Sequence, residues 1–184
     1  MAKRDIYARL DALRPAAWDG PAFRHTSVAY ARSVTNGEAA RRAGGRWNPP
    51  NSFRTVYTCV ERETVVAEFR RSIGPGRDVR ALASTYVVWQ LNVRVDNLVD
   101  LRPLKHRRAV ELPEPFDENV PKEACRQIGA AAYYVRYKGL VVPSAARPGA
   151  INVVLFPDLF EDGDACEVMH EDPRHLISEY LPAS

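Results

Sequence analysis

The sequence predicts a single α+β domain in which a central mixed β-sheet is flanked by helices. Three observations support this class. The 184 residues lie within the usual length of one domain. Apolar patterns with the alternation typical of strands outnumber those with helical spacing. The two kinds of pattern do not alternate regularly, as they would in a doubly wound parallel sheet.

The first predicted element is a short amphipathic helix at residues 5–13. Its apolar residues recur at helical spacing, and Pro15 prevents the helix from continuing. We expect residues 1–20 to form a helical cover that packs on a main domain made of residues 21–184.

A strand at residues 22–28 and a rigid loop at residues 44–50 are predicted next. The loop has the sequence Gly-Gly-Arg-Trp-Asn-Pro-Pro. Glycine permits backbone conformations that are closed to other residues, and proline fixes φ. We therefore expect this loop to have one defined shape.

Strand and helix patterns follow one another irregularly in the rest of the chain. Strands are predicted at residues 54–60, 86–95, 98–101, 140–143, 151–156 and, at the edge of the sheet, 166–169. Helices are predicted at residues 62–73 and 122–137. The proline-rich and acidic segment 112–121 is expected to be an exposed loop.

Composition and charge exclude several classes of protein. Hydrophobic residues make up 46% of the chain and charged residues 27%, which is typical of a globular protein. No stretch approaches the roughly 20 apolar residues of a membrane span, and the N-terminus lacks the apolar core of a signal peptide. We therefore expect a cytoplasmic protein without membrane contact. The 26 basic and 23 acidic residues leave a surplus of +3, which does not by itself indicate binding to nucleic acid.

Cysteine and histidine residues do not indicate a metal site. Cys59, Cys125 and Cys166 are widely spaced and form no CxxC pair, so neither a disulfide framework nor a zinc cluster is predicted. His170 and His175 lie five residues apart across a proline, which does not match a helical metal-binding pair. We expect both histidines at the surface and no metal cofactor.

Arg46 is the most unusual candidate for a functional residue, because it lies between Gly45 and Trp47 in the rigid loop. A guanidinium on a rigid backbone loses little entropy on binding, and it can hold a phosphate or carboxylate through two parallel hydrogen bonds. The alternative is a surface turn in which Arg46 is solvated and Trp47 fills the core.

Glu68 lies at the border of the apolar stripe of the helix predicted at residues 62–73. A carboxylate in that position costs free energy unless it is paired. Arg71, three residues further on, is a possible local partner. The residues alone therefore leave a structural and a functional role equally open.

Other candidates each have a structural alternative. Arg24 is a solvated strand residue or a ligand contact, and Tyr57 is a core aromatic or a ring on which a flat ligand stacks. Ser144 suits a turn or a helix cap, and Asn152 suits a structural hydrogen bond. The basic run 105–108 suits a solvated loop.

Taken in order, these residues resemble the RES domain family, which is named after an Arg, a Glu and a Ser. The matching blocks are Phe23-Arg24-His25, Gly44-Gly45-Arg46-Trp47-Asn48-Pro49-Pro50, Val56-Tyr57-Thr58, Ala67-Glu68-Phe69 and Val142-Pro143-Ser144, followed by Asn152. The block at residues 44–50 is the most specific. The chain departs from the family at Phe69-Arg70-Arg71, where the family is usually more apolar.

The resemblance implies a fold similar to that of ADP-ribosyltransferases and an NAD+-consuming toxin of a type II toxin–antitoxin pair. NAD+ is then the substrate, and the toxin degrades it by phosphorolysis or hydrolysis. The implied partner is a helix-turn-helix antitoxin whose C-terminal segment enters the active site. Transfer of ADP-ribose to a cellular protein is the alternative activity. A toxin directed at nucleic acid through the basic run 105–108 is the second alternative.

The resemblance also implies the roles of individual residues. The catalytic residues would be Glu68, Arg46 and Tyr57, and the NAD+-binding residues Arg24, Arg46, Tyr57, Ser144 and Asn152. Cleavage of the nicotinamide–ribose bond leaves positive charge on the sugar, which a neighbouring carboxylate stabilises. No direct binding of this chain to DNA is expected.

Overall fold

The computed structural model describes residues 3–73, 76–169 and 174–175. The helices are α1 Lys3–Asp11, α2 Glu38–Ala43, α3 Arg62–Ile73, α4 Val79–Ala83, α5 Leu104–Ala109 and α6 Lys122–Tyr134. The strands are β1 Ala16–Ser27, β2 Val56–Cys59, β3 Tyr86–Asp100, β4 Gly139–Pro143, β5 Ile151–Leu155, β6 Ala165–Val168 and β7 Arg174–His175. The predicted class, an α+β domain with a central mixed sheet, is confirmed.

The strands within these described residues form one sheet in the order β1-β2-β5-β4-β3-β6, with β7 beside β3. Strand β1 pairs with β3 as well as with β2, so the pairings among β1, β2, β5, β4 and β3 close into a ring. The β3–β4 pairing is parallel and the other pairings are antiparallel. The sheet is therefore mixed, as predicted.

Strands β1 and β3 are longer than the sequence predicts. Their antiparallel ladder runs from the pair Ser27 and Tyr86 to the pair Ala16 and Leu98, so β1 begins at Ala16 rather than at residue 22. Strand β3 continues through the turn predicted between residues 95 and 98. Asn97 does have a positive φ of 51°, but the residues after it pair with β4 and keep the strand in the sheet.

The helix predictions are confirmed in part. Helix α3 has its predicted bounds, whereas α6 ends at Tyr134 because Arg136 adopts a left-handed conformation with φ of 70°. The short helices α2, α4 and α5 were not predicted. Helix α5 contains the basic run 105–108, so the prediction of a loop there is wrong. Pro103 is the N-cap residue of this helix and provides no side-chain hydrogen bond to it.

Three hydrophobic clusters hold the helices on the sheet. One fills the ring of strands with alternate residues of β3, such as Leu91 and Val93. A second packs α1 and α6 against β4 and β5, and a third packs α3 against β1, β2 and β3 through Val65 and Phe69. Helix α3 and helix α6 thus lie in different clusters, and the loop at residues 44–50 contributes Trp47 to the cluster of α6.

A close approach joins α6 to this loop. A Cβ atom added at Gly129 would lie 1.8 Å from the carbonyl oxygen of Trp47, so only glycine fits at this position of the helix. The N-terminal helix is tied to the same region, because the Tyr137 hydroxyl contacts the carbonyl oxygens of Leu10 and Leu13 at 3.1 Å each.

The two C-terminal histidines, predicted at the surface, are not fully described by the structure. His170 lies outside the described residues, and only the backbone is described at His175. Within residues 3–73, 76–169 and 174–175, no helix is both long and apolar enough to cross a membrane.

Candidate active site

A cavity of about 290 Å³ lies between β1, β2, α3 and the loop at residues 44–50. Five of the six predicted site residues line it: Arg24, Arg46, Tyr57, Glu68 and Asn152. The sixth, Ser144, is buried just behind the cavity and contacts Glu68. The fold therefore brings together residues that are spread over most of the sequence.

Glu68 is the centre of a hydrogen-bond cluster. Its Oε1 accepts one bond from Ser144 Oγ at 2.9 Å and another from Asn152 Nδ2 at 2.7 Å. Ser144 directly follows β4, and Asn152 lies on β5 opposite Cys59 of β2. The register of the sheet thus fixes the position of both donors relative to the carboxylate on α3.

The other oxygen of Glu68 is paired within its own helix. Arg71, one turn further along α3, donates from Nη2 to Glu68 Oε2 at 2.5 Å. The Glu68 side chain is only 13% exposed, and a buried carboxylate is tolerated when donors satisfy it in this way. Glu68 therefore pairs with Arg71, as the structural alternative required, and it also lines the cavity.

Tyr57 anchors the loop at residues 44–50. Its hydroxyl accepts a bond from the backbone N–H of Trp47 at 2.9 Å and donates one to Asn48 Oδ1 at 2.7 Å. Asn48 in turn donates from Nδ2 to the carbonyl of Ala40 on α2 at 2.7 Å. Burial raises the pKa of Tyr57, so the hydroxyl stays protonated and acts as donor and acceptor together.

The loop is held from two further directions. A Cβ atom added at Gly45 would lie 2.3 Å from the Tyr57 hydroxyl oxygen, so a residue without a side chain is required there. On the opposite side, Arg126 of α6 donates from Nε to the carbonyl of Gly45 at 2.9 Å. Contacts with Tyr57 and α6 therefore hold this loop in addition to its glycines and prolines.

Arg46 is buried, with 9% of its surface exposed, so the alternative of a solvated surface turn is excluded. Its Nη1 donates to the carbonyl of Val120 at 3.1 Å and its Nη2 to that of Glu118 at 3.4 Å. The ring of Phe116 lies 6.0 Å from the guanidinium carbon. The segment 112–121, expected to be only an exposed loop, therefore orients Arg46. Trp47 does fill the core, as that alternative required.

Arg24 is also partly buried rather than solvated. Its Nη1 donates to the carbonyl of Tyr57 across the junction of β1 and β2 at 3.0 Å. Burial lowers the pKa of the Arg24 guanidinium, although an arginine still remains charged at neutral pH.

Three arginines of the cavity keep an unused donor. Among the described residues, the buried Nε atoms of Arg24, Arg46 and Arg71 have no hydrogen-bond partner. Asn152 Oδ1 and His25 Nδ1 lack a partner in the same part of the chain. Buried polar atoms in folded proteins nearly always have partners, so their concentration around one cavity indicates a ligand site. Because three guanidinium groups face one carboxylate, the ligand should be an anion.

Two contributors to the site were not predicted from the sequence. His25 lines the cavity, and burial lowers its pKa to about 4, assisted by the charge of Arg24, so the ring is neutral at pH 7. The Phe23-Arg24-His25 block was the only available signal for it. Nothing in the sequence pattern marks Arg126, which lies 81 residues from the Gly45 carbonyl that it contacts.

The three cysteines are free thiols. Cys59 and Cys125 are buried, and burial raises the pKa of the Cys166 thiol to about 11. A protonated thiol is a poor nucleophile and a poor metal ligand. No group of three His, Cys, Asp or Glu side chains in the described part of the chain is arranged to hold a metal ion.

Fold and cavity together define an α+β protein with an arginine-lined pocket around one buried carboxylate. A model of the RES domain matches residues 21–177, and the chain belongs to the RES domain family. The resemblance inferred from the ordered blocks of residues is thus confirmed.

Two characterised proteins are similar to this chain in sequence. The chain is 28% identical over 148 residues to the NAD(+) phosphorylase MbcT of Mycobacterium tuberculosis (strain ATCC 25618 / H37Rv). The aligned region covers 79% of this chain and 78% of MbcT. It is also 28% identical over 137 residues to Toxin Res of Photorhabdus laumondii subsp. laumondii, covering 73% of this chain and 80% of that protein.

The fold has a solved counterpart. The chain superposes with a TM-score of 0.80 on a chain of the crystal structure of the M. tuberculosis MbcT–MbcA toxin–antitoxin complex, over 90% of each chain and at 24% sequence identity. This chain therefore shares its fold with a chain of that complex.

Proposed function

We propose that this chain cleaves the nicotinamide–ribose bond of NAD+ and acts as the toxin of a toxin–antitoxin pair. The observation that carries the proposal is Glu68, held by Ser144 and Asn152 in a cavity with three unused arginine donors. The related protein MbcT is an NAD(+) phosphorylase, which supports NAD+ as the anionic ligand of this chain.

Glu68 supplies the central chemistry of the proposed reaction. As the bond from ribose to nicotinamide breaks, its electron pair goes to the ring nitrogen, and positive charge develops on the sugar. The fixed carboxylate of Glu68 stabilises that charge. Nicotinamide leaves as a neutral molecule, so its departure requires no proton. A single carboxylate can therefore serve this step.

Ser144 and Asn152 have different roles in this proposal. The Ser144 hydroxyl donates to Glu68 and accepts from the backbone N–H groups of Ala146 and Arg147, both at 3.2 Å. These bonds use the full capacity of the hydroxyl, so Ser144 is a positioning residue for Glu68. Asn152 orients Glu68 through Nδ2, and its Oδ1 is available for a ribose hydroxyl or the nicotinamide amide.

The rest of the substrate is held by the arginines and by Tyr57. Arg24 and Arg46 each offer a buried Nε–H to the pyrophosphate, while Nη1 of Arg24 and both Nη atoms of Arg46 donate to backbone carbonyls. A guanidinium already fixed in this way loses little further freedom on binding. The Tyr57 ring lines the cavity and presents a surface for the nicotinamide, while its hydroxyl stays with the loop.

Incubation of the purified protein with NAD+ tests the proposal, with nicotinamide release followed by chromatography. We expect release by the wild type and almost none by Glu68→Gln. NAD+ labelled in its adenylate part, added with cell lysate, separates the alternatives. Label confined to small molecules supports NAD+ degradation, whereas label on a protein band identifies an ADP-ribosyltransferase. Unchanged NAD+ would refute both activities.

We also propose a helix-turn-helix antitoxin whose C-terminal segment enters the cavity. The solved counterpart, itself a toxin–antitoxin complex, supports a partner of this kind, and a C-terminal carboxylate would match the cationic lining. In a mixture of both proteins, the full-length antitoxin should inhibit nicotinamide formation, and an antitoxin without its last residues should not. A cytoplasmic site of action belongs to this proposal, because the NAD+ pool lies there.

The division into a cover at residues 1–20 and a catalytic domain at residues 21–184 is likewise a proposal. The family match begins at residue 21, and α1 packs against α6 through the rings of Tyr7 and Tyr134, whose centroids are 5.0 Å apart. Deletion of residues 1–13 should lower the melting temperature. An unchanged melting temperature would contradict the covering role.

A further inference from the structure

A second cavity, of about 390 Å³, lies between α1, α6 and the loop at residues 44–50. Half of its lining comes from one face of α6, because Glu123, Arg126, Gln127 and Ala130 follow one another at helical spacing. In the described part of the chain, no residue lines both this cavity and the one around Glu68. The two cavities are therefore separate, and the proposed cleavage of NAD+ makes no use of this one.

Arg126 brings a positive charge to this second cavity. Its Nε is fixed on the carbonyl of Gly45 at 2.9 Å, and no carboxylate of the described residues forms an ion pair with it. This includes Glu123, which lies one turn away on the same helix. A guanidinium anchored through one nitrogen loses little further freedom when its other nitrogens bind a phosphate. Arg126 therefore suits the anionic end of a ligand.

Glu123 brings an acceptor to the same cavity. Its Oε1 accepts a bond from Gln127 Nε2 at 3.3 Å, which is the one hydrogen bond that the described residues make to this side chain. An ionised carboxylate has about four lone-pair sites, so most of its capacity remains unused. An amino group on a ligand would be a suitable donor to it.

Tyr7 adds a flat aromatic surface. Its ring is held by the ring of Tyr134, with the two centroids 5.0 Å apart, and it lines the cavity together with the buried side chains of Ile6 and Ala131. Aromatic faces favour stacking with other flat rings. The volume also falls within the roughly 300–1,000 Å³ of small-molecule sites.

We propose that this cavity binds a free nucleoside monophosphate whose base has an exocyclic amino group. The phosphate pairs with Arg126, the amino group donates to Glu123, and the base stacks on Tyr7. Because Arg126 also holds the carbonyl of Gly45, the nucleotide lies against the support of the loop that contains Arg46. The site does not depend on the proposed cleavage of NAD+, since binding is measured without a reaction.

Calorimetric titration of the purified full chain tests the proposal with three probes: AMP, adenosine and inosine monophosphate. Adenosine lacks the phosphate, and inosine monophosphate has an oxygen in place of the amino group. AMP should bind about 10- to 100-fold more tightly than adenosine, as expected for charge-assisted hydrogen bonds. It should also bind about 10-fold more tightly than inosine monophosphate. No binding of AMP at millimolar concentration would overturn the proposal.

Variants of the lining residues assign each part of the ligand. In Arg126→Gln, AMP and adenosine should bind equally, and in Glu123→Ala, AMP and inosine monophosphate should bind equally. Ala130→Phe should abolish binding, because the ring fills the cavity. Lys122→Gln, at an exposed residue outside the cavity, should bind AMP as the wild type does. Melting curves identify loss of folding, and the exposed position of Glu123 keeps the comparison of bases decisive.

Two outcomes would assign AMP to another place. If Arg24→Gln loses AMP binding and Arg126→Gln keeps it, the nucleotide lies in the cavity around Glu68 and the proposal is wrong. If Glu123→Ala raises the KM for NAD+ as strongly as it weakens AMP binding, the second cavity holds the adenylate part of NAD+, and a separate site for a free nucleotide is refuted. A chain that binds AMP here but releases no nicotinamide would refute only the proposed function.

Discussion

The side-chain amide of Asn152 donates to the carboxylate of Glu68 over 2.7 Å, although the two residues are 84 positions apart in the sequence. One lies on β5 and the other on α3, and the pairing of β2 with β5 brings them together. An interaction between two rigid elements holds the carboxylate more precisely than a loop would.

Glu68→Gln should strongly slow NAD+ cleavage without unfolding the protein. The variant removes the negative charge and places an amide donor among three existing donors. We expect the rate to fall by about 10²- to 10³-fold, the usual effect of removing one charge-stabilising group. Nicotinamide release measures this, and a melting curve checks the fold.

Glu63→Gln is the matched control for this variant. Glu63 lies on the same helix but is exposed, so its loss of charge should leave the rate unchanged. If both variants keep wild-type rates, Glu68 has no part in the reaction.

Tyr57→Phe should loosen the loop at residues 44–50. The change leaves the Trp47 N–H and Asn48 Oδ1 without their partner, which should lower the free energy of unfolding by about 1–3 kcal/mol. NAD+ cleavage should weaken as well, because Arg46 belongs to the same loop. Urea denaturation and nicotinamide release measure the two effects.

Tyr134→Phe, at a ring that is 72% exposed, should change the stability by less than about 0.5 kcal/mol. Equal effects of both variants would contradict the anchoring role of Tyr57.

Gly45→Ala should be destabilising because its Cβ would overlap the Tyr57 side chain, at 2.6 Å from Cζ. Overpacking of this kind costs about 1–3 kcal/mol. The cost should shrink when Tyr57→Ala removes the ring, which a double-mutant cycle of unfolding free energies measures. Additive effects would show that the two side chains do not compete for space.

Acid should destabilise the protein through His25. Burial lowers the pKa of His25 to about 4, below its ordinary value of 6.5, so the unfolded chain binds a proton more readily than the folded one. Stability due to His25 is therefore complete above pH 6.5 and is lost as the pH falls from 6.5 to about 4. The difference amounts to at most about 3 kcal/mol. Urea denaturation at pH 7 and pH 4.5 should show the loss, and His25→Asn should reduce it. The same pH dependence in the variant would count against His25.

Local features of the site were predictable from the sequence, whereas its long-range contacts were not. The pairing of Glu68 with Arg71 follows from their spacing on a helix, and the shape of the 44–50 loop follows from its glycines and prolines. The contact between Glu68 and Asn152 depends on strand register, which a single sequence does not determine. Helix α5 was missed because its basic residues mask any apolar stripe.

The most important contact that the sequence did not predict is made by backbone groups. Arg46 is oriented by the carbonyl oxygens of Glu118 and Val120, and a carbonyl group is present at every residue. Residue types therefore contain no signal for this contact. Only the folded path of the segment 112–121 reveals it.

Because a backbone carbonyl orients Arg46, this orientation does not depend on which residue type occupies position 118. The side chain of Glu118 is exposed and only its carbonyl oxygen holds the arginine, so position 118 can accept many substitutions without disturbing the guanidinium. Substitutions that change the charge of the outer surface of this segment should therefore leave the orientation of the Arg46 guanidinium in the cavity unchanged.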